Sequence, residues 1–547
     1  MTEDGTHSGK DGRDVREEVP GVGAMTDDDV NRIADVLESC IEDRTRLLAV
    51  SDDVRKRLLM VAGRLSRPTR DELIRGSKAI RKVKRRKARE EDRVLTANTE
   101  IRRVRAEAVF VAPALRSANG DVADAAAPPE LNKPRHCYVC KVEYRHVHAF
   151  YESMCHACAE FNYAKRFQTA DMRGQVAVIT GARLKIGYQA ALMMLRAGAT
   201  VVATTRFPQD AAARYAREKD FEEWGSRLRV HGLDLRHAPS VELFASYLDR
   251  TLGRLDHLLN NAAQTVRRPP AFYAHLLAGE EAPYASLPAR EKSVLRDHHT
   301  LVGLVAGGRA HLELGNGDAR ENAAPAAGPG GALSPWASRA GSAGVGILRS
   351  AALSQIPYAQ DDTRGVEALF PSGAVDADLQ QVDLRGINTW RLTLAEVATA
   401  EMLEVHLVNA VAPFVLCGKL KPLMMRDRTD AKHVVNVSAM EGSFSRRTKT
   451  DKHPHTNMAK AALNMMTLTS APDYLKSGIH MNAVDTGWVT DEDPAAISAR
   501  KRQDLDFEPP LDIVDGAARI VDPIFAGLNG EGHVWGKFLK DYKPTAW

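Results

Sequence analysis

The sequence lacks long hydrophobic runs, because no stretch of 18 apolar residues occurs in its 547 residues, so we predict no membrane span. The N-terminal segment MTEDGTHSGKDGRDVREEVPG is acidic and polar, without the apolar core of a secretory signal or the arginine-rich composition of a transit peptide. A cytoplasmic location is therefore expected. Aromatic residues are few, at 6%, whereas 44% hydrophobic and 27% charged residues are typical of a soluble globular chain with two to four domains.

A strong excess of one charge sign is also lacking, since the formal net charge is only +4. The distribution is uneven, however. Residues 64–105 hold 16 Lys or Arg against 6 Asp or Glu, and the densest run is RKVKRRKAR at Arg81–Arg89. This segment has two interpretations: a solvated helix surface, or a binding site for nucleic acid or another polyanion.

Helical patterns dominate the first part of the chain. Residues 1–25 are polar and contain glycine, which predicts a disordered tail. From Thr26 onward, capping residues and apolar positions at helical spacing predict a helical, basic module over residues 26–120. The stretch ADAAAPPELNKP then marks a linker.

Cysteine is scarce, yet four of the six cysteines form two CxxC pairs separated by 14 residues: Cys137, Cys140, Cys155 and Cys158. Each CxxC turn directs two sulfurs toward one point, and four thiolates satisfy tetrahedral zinc without leaving an open position. We therefore predict a zinc-ribbon-like module over residues 130–168, with a structural or partner-binding role. Four metal-free thiols and a redox dithiol are the alternatives.

A dinucleotide-binding pattern begins at Val176. The segment VAVITGARLKIGYQAALMMLRAGATVVATTR reads as strand, glycine-bearing turn, amphipathic helix and second strand within about 30 residues, the length of one βαβ unit. Gly181 and Gly187 lie where the backbone must bend sharply beside a pyrophosphate, whose charge rests on the N-terminus of the following helix.

Strands and helices alternate from here to the C-terminus, which predicts an α/β fold: a Rossmann-type doubly wound parallel sheet over residues 171–547. A long insertion interrupts it at about 265–385, and its Ala-, Gly- and Pro-rich part, 305–349, is predicted to be flexible. Strands are expected at 175–180, 200–204, 228–233, 256–260, 432–438, 479–485 and 533–539.

Several motifs in order resemble the short-chain dehydrogenase/reductase superfamily. TGARLKIG resembles its glycine-rich turn, with Lys185 in place of the middle glycine, and NNAA resembles the segment after the fourth strand. EMLEVHLVNAVAPFVL, MAKAALNMMT and NAVDTGWVT resemble the segments that carry the helix asparagine, the active-site lysine and the nicotinamide-side loop. The resemblance implies cofactor contacts from Thr180, Gly181, Arg183, Lys185, Ile186, Gly187, Arg206, Asp234, Leu235, Asn261, Ala262, Ala263, Lys460 and Thr490.

Cofactor choice depends on the charge at the end of the second strand. An acidic residue there binds the adenosine ribose and repels a 2′-phosphate, but this chain has Thr204, Thr205 and Arg206, with Arg183 and Lys185 nearby. The sequence thus favours NADP over NAD.

The expected acid is missing. In the resembled family a tyrosine stands four residues before the lysine, whereas this chain has Thr456, whose hydroxyl is a far weaker acid than a phenol. The family's serine position holds Ala439, and Ser438 is adjacent. The catalytic candidates are therefore Asn409, Lys460, Thr456, Ser438 and His455, with His453 as a further proton source.

Three functions stay open. The first is an oxidoreductase that uses NADP and an unusual proton donor on a small-molecule carbonyl or alcohol substrate. The second is a non-catalytic NADP-binding sensor that recruits a protein partner through the zinc and helical modules, and the third is a nucleic-acid adaptor. The resembled family also implies a homo-oligomer.

Overall fold

The computed structural model describes residues 25–107, 128–307, 343–357, 366–376, 379–446 and 448–547. The predicted tail before Met25 and most of the segment predicted to be flexible, 305–349, lie outside these described residues. The chain divides into two units, Met1–Ala88 and Arg89–Trp547. This division falls inside the helical module predicted for 26–120, and the predicted domain bounds remain predictions.

The first unit is helical. Helix α1 spans Asp27–Glu42 and α2 spans Asp52–Ser66, and α3, Arg70–Ala97, begins in this unit. Helix α1 starts at a capping box, because the Thr26 hydroxyl accepts the Asp29 amide while the Asp29 carboxylate accepts the Thr26 amide. None of the residues of α1 is buried, so its apolar stripe stays accessible.

The second unit contains a small module with four cysteines near its start, residues 128–168, named here the four-cysteine module. Helix α4, Glu100–Ala106, precedes it. Strands β1, Glu130–His136, and β2, Glu143–His146, pair antiparallel around the first CxxC turn, and α5, His156–Lys165, begins at the second.

An eight-stranded sheet forms the centre of this unit, and it confirms the predicted α/β fold. Its strands lie in the order β5-β4-β3-β6-β7-β8-β9-β10, and all neighbours are parallel except the last pair. Sequence order reverses between β3 and β6, which is where doubly wound sheets bind ligands. The strands are β3 Val176–Thr180, β4 Thr200–Thr205, β5 Leu228–Gly232, β6 His257–Asn260, β7 Lys432–Ser438, β8 Ile479–Asp485, β9 Phe538–Lys540 and β10 Lys543–Thr545.

The last predicted strand, 533–539, is shorter and begins later than expected. Residues 530–536 include three glycines with positive φ, Gly530, Gly532 and Gly536, so this part of the chain turns rather than extends. The antiparallel edge strand β10 was not predicted.

Helices cover both faces of the sheet. Helices α6, Lys185–Arg196, and α18, Ile513–Leu528, pack together over one face, and α9, Ala238–Thr251, packs with α15, Ala412–Met425, over the other. Each face has its own apolar core. The remaining helices are α7 Pro208–Ala216, α8 Phe221–Trp224, α10 Ala274–Glu280, α11 Ala289–Ala306, α12 Val345–Leu348, α13 Val366–Leu369, α14 Thr399–His406, α16 Pro454–Leu475 and α17 Ala495–Leu505.

The described part of the chain has one helix that is long and apolar enough to cross a membrane, the continuous helix Thr399–Met425. It comprises α14, a π-helical stretch at Leu407–Val411, and α15. One such helix is weak evidence for a span, since core helices of soluble proteins have the same length and hydropathy.

Candidate functional site

A cavity of about 1060 Å³ opens at the carboxyl ends of the parallel strands. Fourteen of the predicted site residues line it: Gly181, Arg183, Lys185, Ile186, Gly187, Arg206, Asp234, Leu235, Asn261, Ala262, Ala263, Ser438, Lys460 and Thr490. Four others, Thr180, Asn409, His455 and Thr456, do not line it. The cavity is large enough for a dinucleotide together with a second small molecule.

The glycine-rich turn has no room for side chains at its two glycines. Gly181 has a φ of +68°, and a Cβ there would lie 2.8 Å from the Cα of Ala262. A Cβ on Gly187 would lie 2.5 Å from the carbonyl oxygen of Gly181. Lys185, in the place of the usual middle glycine, adopts a φ of +55° and begins α6. The turn therefore keeps the shape that brings backbone amides to the cavity.

Thr180 and Asn261 brace this turn against the next strand. The Thr180 hydroxyl accepts the Ala262 amide at 3.0 Å, and the Asn261 side chain donates to the Thr180 carbonyl at 2.9 Å. Thr180 therefore supports the cavity wall from behind instead of forming its surface.

Two arginines at the far end of the cavity have different partners. Arg183 is buried and its guanidinium pairs with the Asp210 carboxylate at 2.7 Å. Arg206 donates to the Tyr273 hydroxyl at 2.7 Å and lies over the Tyr273 ring, 4.6 Å from its centroid. Tyr273 comes from the insertion, so the insertion helps to shape this end of the cavity.

Asp234, one of the cofactor contacts that the resemblance implies, is almost fully buried and pairs with Arg236 at 2.6 Å. Burial raises its pKa, but the hydrogen bonds and charge of Arg236 outweigh this and hold the pKa below its usual value. Asp234 is therefore held as a carboxylate whose charge is compensated by Arg236.

Lys460, on α16, is a buried lysine that lines the cavity at the end opposite to Arg206. Its ammonium donates to the Val437 carbonyl at 2.8 Å. Burial lowers the pKa of Lys460 to about 8, although the charges of Glu441 and Asp485 act in the opposite direction. A lysine with this pKa changes its charge just above neutral pH.

Asn409 lies in the π-helical stretch and holds the loop after β6. Its side-chain oxygen accepts the Gln264 amide at 2.7 Å, and its side-chain nitrogen donates to the Gln264 carbonyl at 3.0 Å. Both the oxygen and the nitrogen of the Asn409 side chain are thus hydrogen-bonded to the backbone of Gln264. Asn409 shapes the cavity wall through Gln264, which does line the cavity.

Three of the catalytic candidates have side chains that are buried or already hydrogen-bonded within the protein, and of these three only Ser438 lines the cavity. The Ser438 hydroxyl donates to Asn464 on α16. Thr456 is 2% exposed, and its hydroxyl has no hydrogen-bond partner within the described ranges. His455 is also 2% exposed, with its Nε2 3.6 Å from a Glu401 oxygen. Their proposed roles stay predictions that the geometry does not support.

His453 is the histidine that does line the cavity. It precedes α16 with a φ of +43°, and its ring stacks on Trp390 at a centroid distance of 3.8 Å. Its Nδ1 lies 3.1 Å from the side-chain oxygen of Asn457, which lines the cavity one turn before Lys460. Burial lowers the pKa of His453, so the neutral ring is favoured near pH 7.

The loop after β8, residues 486–493, closes one side of the cavity. It turns at Gly487, whose φ is +75° and whose amide donates to Asp485 at 3.0 Å. The Trp488 amide donates to the hydroxyl of Tyr138, a residue of the first CxxC turn, at 2.9 Å. The four-cysteine module therefore forms part of the cavity wall.

The four cysteines of the module converge. The sulfurs of Cys137, Cys140, Cys155 and Cys158 all lie within 4.8 Å of one another, and the Cys140 and Cys155 sulfurs are 3.6 Å apart. Tetrahedral zinc with bonds of about 2.3 Å requires sulfurs about 3.8 Å apart. The donor set and its spacing fit such an ion.

Comparison with known families agrees with this geometry. Residues 175–275 match the family model described as short chain dehydrogenase, and residues 383–509 match the one described as enoyl-(acyl carrier protein) reductase. The chain belongs to the short-chain dehydrogenase/reductase family. This confirms the resemblance seen in the sequence motifs.

Relatives of this short-chain dehydrogenase/reductase include the uncharacterized protein R665 of Acanthamoeba polyphaga mimivirus, 30% identical over 402 residues, 72% of this chain and 71% of that protein. The 1-cyclohexenylcarbonyl-CoA reductase of Streptomyces collinus is 38% identical over 96 residues, only 18% of this chain and 33% of the enzyme.

Solved structures to which the chain was matched include a short-chain dehydrogenase/reductase from Burkholderia multivorans with bound NADP. It is 15% identical, with a TM-score of 0.37, and the match covers 68% of this chain and 99% of that one. A dehydrogenase/reductase from Sinorhizobium meliloti is 16% identical, with a TM-score of 0.38, covering 68% of this chain and 94% of that one.

Sequence reasoning missed several cavity residues of this short-chain dehydrogenase/reductase, among them Asn457 and Tyr138. Asn457 follows directly after Thr456, and only its position on the helix distinguishes it. Tyr138 lies 350 residues before its partner Trp488. The only sequence signal for Tyr138 is its position between Cys137 and Cys140, which gives no information about what it contacts.

Proposed function

We propose that this short-chain dehydrogenase/reductase is an oxidoreductase that transfers hydride between NADP(H) and a carbonyl or alcohol substrate. The observation that carries the proposal is one cavity that joins the glycine-rich turn, Arg206 and Lys460. The turn provides amides for a pyrophosphate, the arginine provides charge for a phosphate, and the lysine provides a donor for ribose hydroxyls.

The preference for NADP over NAD is supported by the end of β4. Thr204, Thr205 and Arg206 all line the cavity, so no carboxylate of this strand end opposes a 2′-phosphate. Arg206 contacts a phenol and an aromatic face, neither of which neutralises its charge. Arg183, in contrast, is already paired with Asp210 and contributes less free charge.

The nicotinamide, when bound, supplies or accepts the hydride. Among the protein's own residues, Lys460 would hold the ribose, and Thr490, which lines the cavity, would face the carboxamide. The loop after β8, which lines the cavity over residues 486–493, would limit the access of water to this end.

His453 is the proposed general base and acid. In the oxidative direction the alcohol carbon gives up its hydride, and the neutral His453 ring, the form favoured near pH 7, accepts the hydroxyl proton and releases it to solvent. The reductive direction is the reverse: the carbonyl carbon gains the hydride, and its oxygen takes a proton from the protonated fraction of His453, which solvent restores. Its ring is held by Trp390 and Asn457, as a directed proton transfer requires. Thr456 and His455 are less suitable because neither lines the cavity.

The test is NADPH oxidation with a panel of aldehydes, ketones and quinones. His453→Asn is expected to lower turnover about 100-fold or more, because general acid catalysis contributes on that scale. Thr456→Val is the matched control from the same helix and should keep most activity. Equal losses in both variants, or a larger loss in Thr456→Val, would contradict the role of His453.

The absence of the family's tyrosine favours one alternative, an NADP-binding protein without turnover. Tight NADPH binding by the parent protein with no oxidation across the panel would select it.

The polyanion-binding alternative is weakened because some of the basic residues behind it are engaged within the protein. Arg102 pairs with Glu152 and Asp506 at 2.7 and 2.8 Å, and Arg105 donates to the Leu511 carbonyl.

The four-cysteine module is proposed to hold one structural zinc ion. Elemental analysis should find about one zinc per chain. Cys137→Ser should lower that content, whereas Cys40→Ser, a cysteine outside the cluster, should leave it unchanged. Equal zinc content in both variants would contradict the assignment.

Pairing of two copies is proposed through the exposed apolar side chains of α15 and α16. Phe414 is 66% exposed, and Met458 and Met465 are 51% and 58% exposed. Large apolar side chains that are exposed in one copy favour association when a second copy covers them. Phe414→Asp should shift the mass measured by light scattering from dimer to monomer, and an unchanged mass would oppose this interface.

A further inference from the structure

The four-cysteine module contacts the loop after β8 directly, at the wall of the cavity. Tyr138 follows the first ligand cysteine, and its hydroxyl accepts the Trp488 amide at 2.9 Å. A Cβ on Gly487 would lie 3.1 Å from the same hydroxyl oxygen. The loop after β8 therefore has close contact with one side chain of the metal-binding turn.

The backbone of Tyr138 is fixed by the module itself. Its amide donates to the Ser153 carbonyl at 2.8 Å, and the neighbouring Cys137 amide donates to the Val142 carbonyl at 2.9 Å. Ser153 precedes the second CxxC turn by two residues. The position of Tyr138 thus depends on how the two cysteine turns are held together.

A shared apolar core connects the same parts. Cys137 and Tyr144 of the module pack in one cluster with Val489 of the loop and Leu511, which precedes α18. Ile186 of the glycine-rich turn packs against this cluster. The module therefore reaches both the nicotinamide-side loop and the pyrophosphate-binding turn.

Ion pairs complete the connection. Arg166, at the end of α5, is buried and contacts Asp512 at 2.7 Å and Asp515 at 2.8 Å, at the start of α18. Gly516, in the next position, lies against Ile186, because a Cβ there would be 2.8 Å from that side chain. Loosening of the module would be transmitted to this contact.

We infer that Tyr138 is a positioning residue that couples metal binding by the four cysteines to NADP(H) binding in the cavity. This rests on the proposed function. Bound metal holds the two cysteine turns together and so keeps Tyr138 under the Trp488 amide. Without metal, the turns separate, the amide loses its acceptor, and the loop is less well ordered for the nicotinamide.

Thermodynamic linkage makes the coupling measurable in both directions. If metal tightens NADPH binding by some factor, NADPH must tighten metal binding by the same factor. Coupling of this kind is typically about 5-fold to 150-fold. We expect the NADPH Kd of zinc-stripped protein to be at least about 5-fold higher than that of zinc-loaded protein.

The experiment measures the NADPH Kd by fluorescence titration with and without zinc in three proteins: the parent, Tyr138→Phe and Tyr144→Phe. Tyr144 is a matched control, because its hydroxyl donates to the Glu152 carbonyl inside the module and does not line the cavity. The zinc effect should shrink toward one in Tyr138→Phe and persist in Tyr144→Phe. A chelator competition measures the reciprocal effect of NADPH on zinc affinity.

Each outcome has a defined meaning. An equal NADPH Kd with and without zinc in the parent, or an undiminished zinc effect in Tyr138→Phe, overturns the coupling while the proposed function stands. If removal of zinc unfolds the module by circular dichroism, the zinc-loaded proteins decide: Tyr138→Phe must bind NADPH about 5-fold more weakly than Tyr144→Phe, and equal binding overturns the inference. No NADPH binding by the zinc-loaded parent overturns the proposed function itself.

Discussion

The two ends of the cavity differ in how closely they follow the family pattern. At the glycine-rich end, Gly181 and Gly187 have the backbone shape and close contacts that the motif requires, even with Lys185 in an unusual position. At the lysine end, Lys460 is in place, but Thr456 is buried where the acid is expected. Binding and proton transfer therefore place separate demands on the sequence, and only the first is met in the usual way.

The difference has a physical basis. A cradle for a pyrophosphate is made of backbone amides, and it depends on glycines that cannot be replaced without a clash. A proton donor can come from any element whose side chain reaches the reacting atom. His453 and Asn457 lie at the start of the helix that carries Lys460, and both line the cavity at this end.

The largest effect is expected for Lys460. Lys460→Ala should lower turnover about 100-fold to 1,000-fold, since it removes the buried cation that would hold the ribose at the reacting end. Steady-state rates with NADPH measure the loss. Lys460→Arg is the control and should retain a measurable part of the activity, and wild-type rates in Lys460→Ala would show that the lysine end takes no part in the chemistry.

The opposite end is tested by Gly187→Ala. The added Cβ would lie 2.5 Å from the Gly181 carbonyl oxygen, so the turn must open, and NADPH binding should weaken about 100-fold. Gly253 has nothing within 4 Å of an added Cβ, and Gly253→Ala should bind normally. Normal NADPH affinity in Gly187→Ala would mean that this turn does not hold the cofactor.

Cofactor choice should respond to Arg206. Arg206→Glu should weaken NADPH binding about 10-fold to 100-fold and change NADH binding much less, because a charge-assisted contact contributes about 1.5–3 kcal/mol. Arg206→Lys should retain most of the preference. The two Kd values for each variant give the ratio, and an unchanged ratio in Arg206→Glu would place the 2′-phosphate elsewhere.

The smallest effect is a pH dependence from Lys460. Its pKa of about 8 means that the free protein loses this proton above that pH, whereas an anionic cofactor favours the charged lysine. Binding must then take up a proton, so the NADPH Kd should be constant below about pH 8 and rise above it, by at most about tenfold per pH unit. Lys460→Met should bind more weakly without this rise, and a rise of the same size in that variant would exclude Lys460 as its source.

Much of the fold could be predicted from the sequence because its signals are local. Apolar segments that alternate with predicted helices located the six parallel strands β3 to β8 nearly to the residue, and the spacing of four cysteines predicted their convergence. The last parallel strand begins later than predicted because the glycines of 530–536 make the chain turn there. The edge strand β10 could not be predicted because its sequence has no apolar pattern.

The cavity could be predicted only in part. Residues of the glycine-rich turn are adjacent in the chain, so a motif locates them. Tyr138 and Trp488 meet across 350 residues, and Tyr273 reaches Arg206 from the insertion. The choice among Thr456, His455 and His453 depends on which side chains of one helix start face the cavity, and a shift of a residue or two decides it.

The assignment of the cavity to NADP(H) is tested by titration of the zinc-loaded parent protein with NADPH and NADH under identical conditions. We expect saturable binding of both nucleotides, with the NADPH Kd at least about 10-fold lower, because a 2′-phosphate gains the charge of Arg206. Failure of either nucleotide to bind would contradict the assignment of the cavity, and tighter binding of NADH would contradict the role given to Arg206.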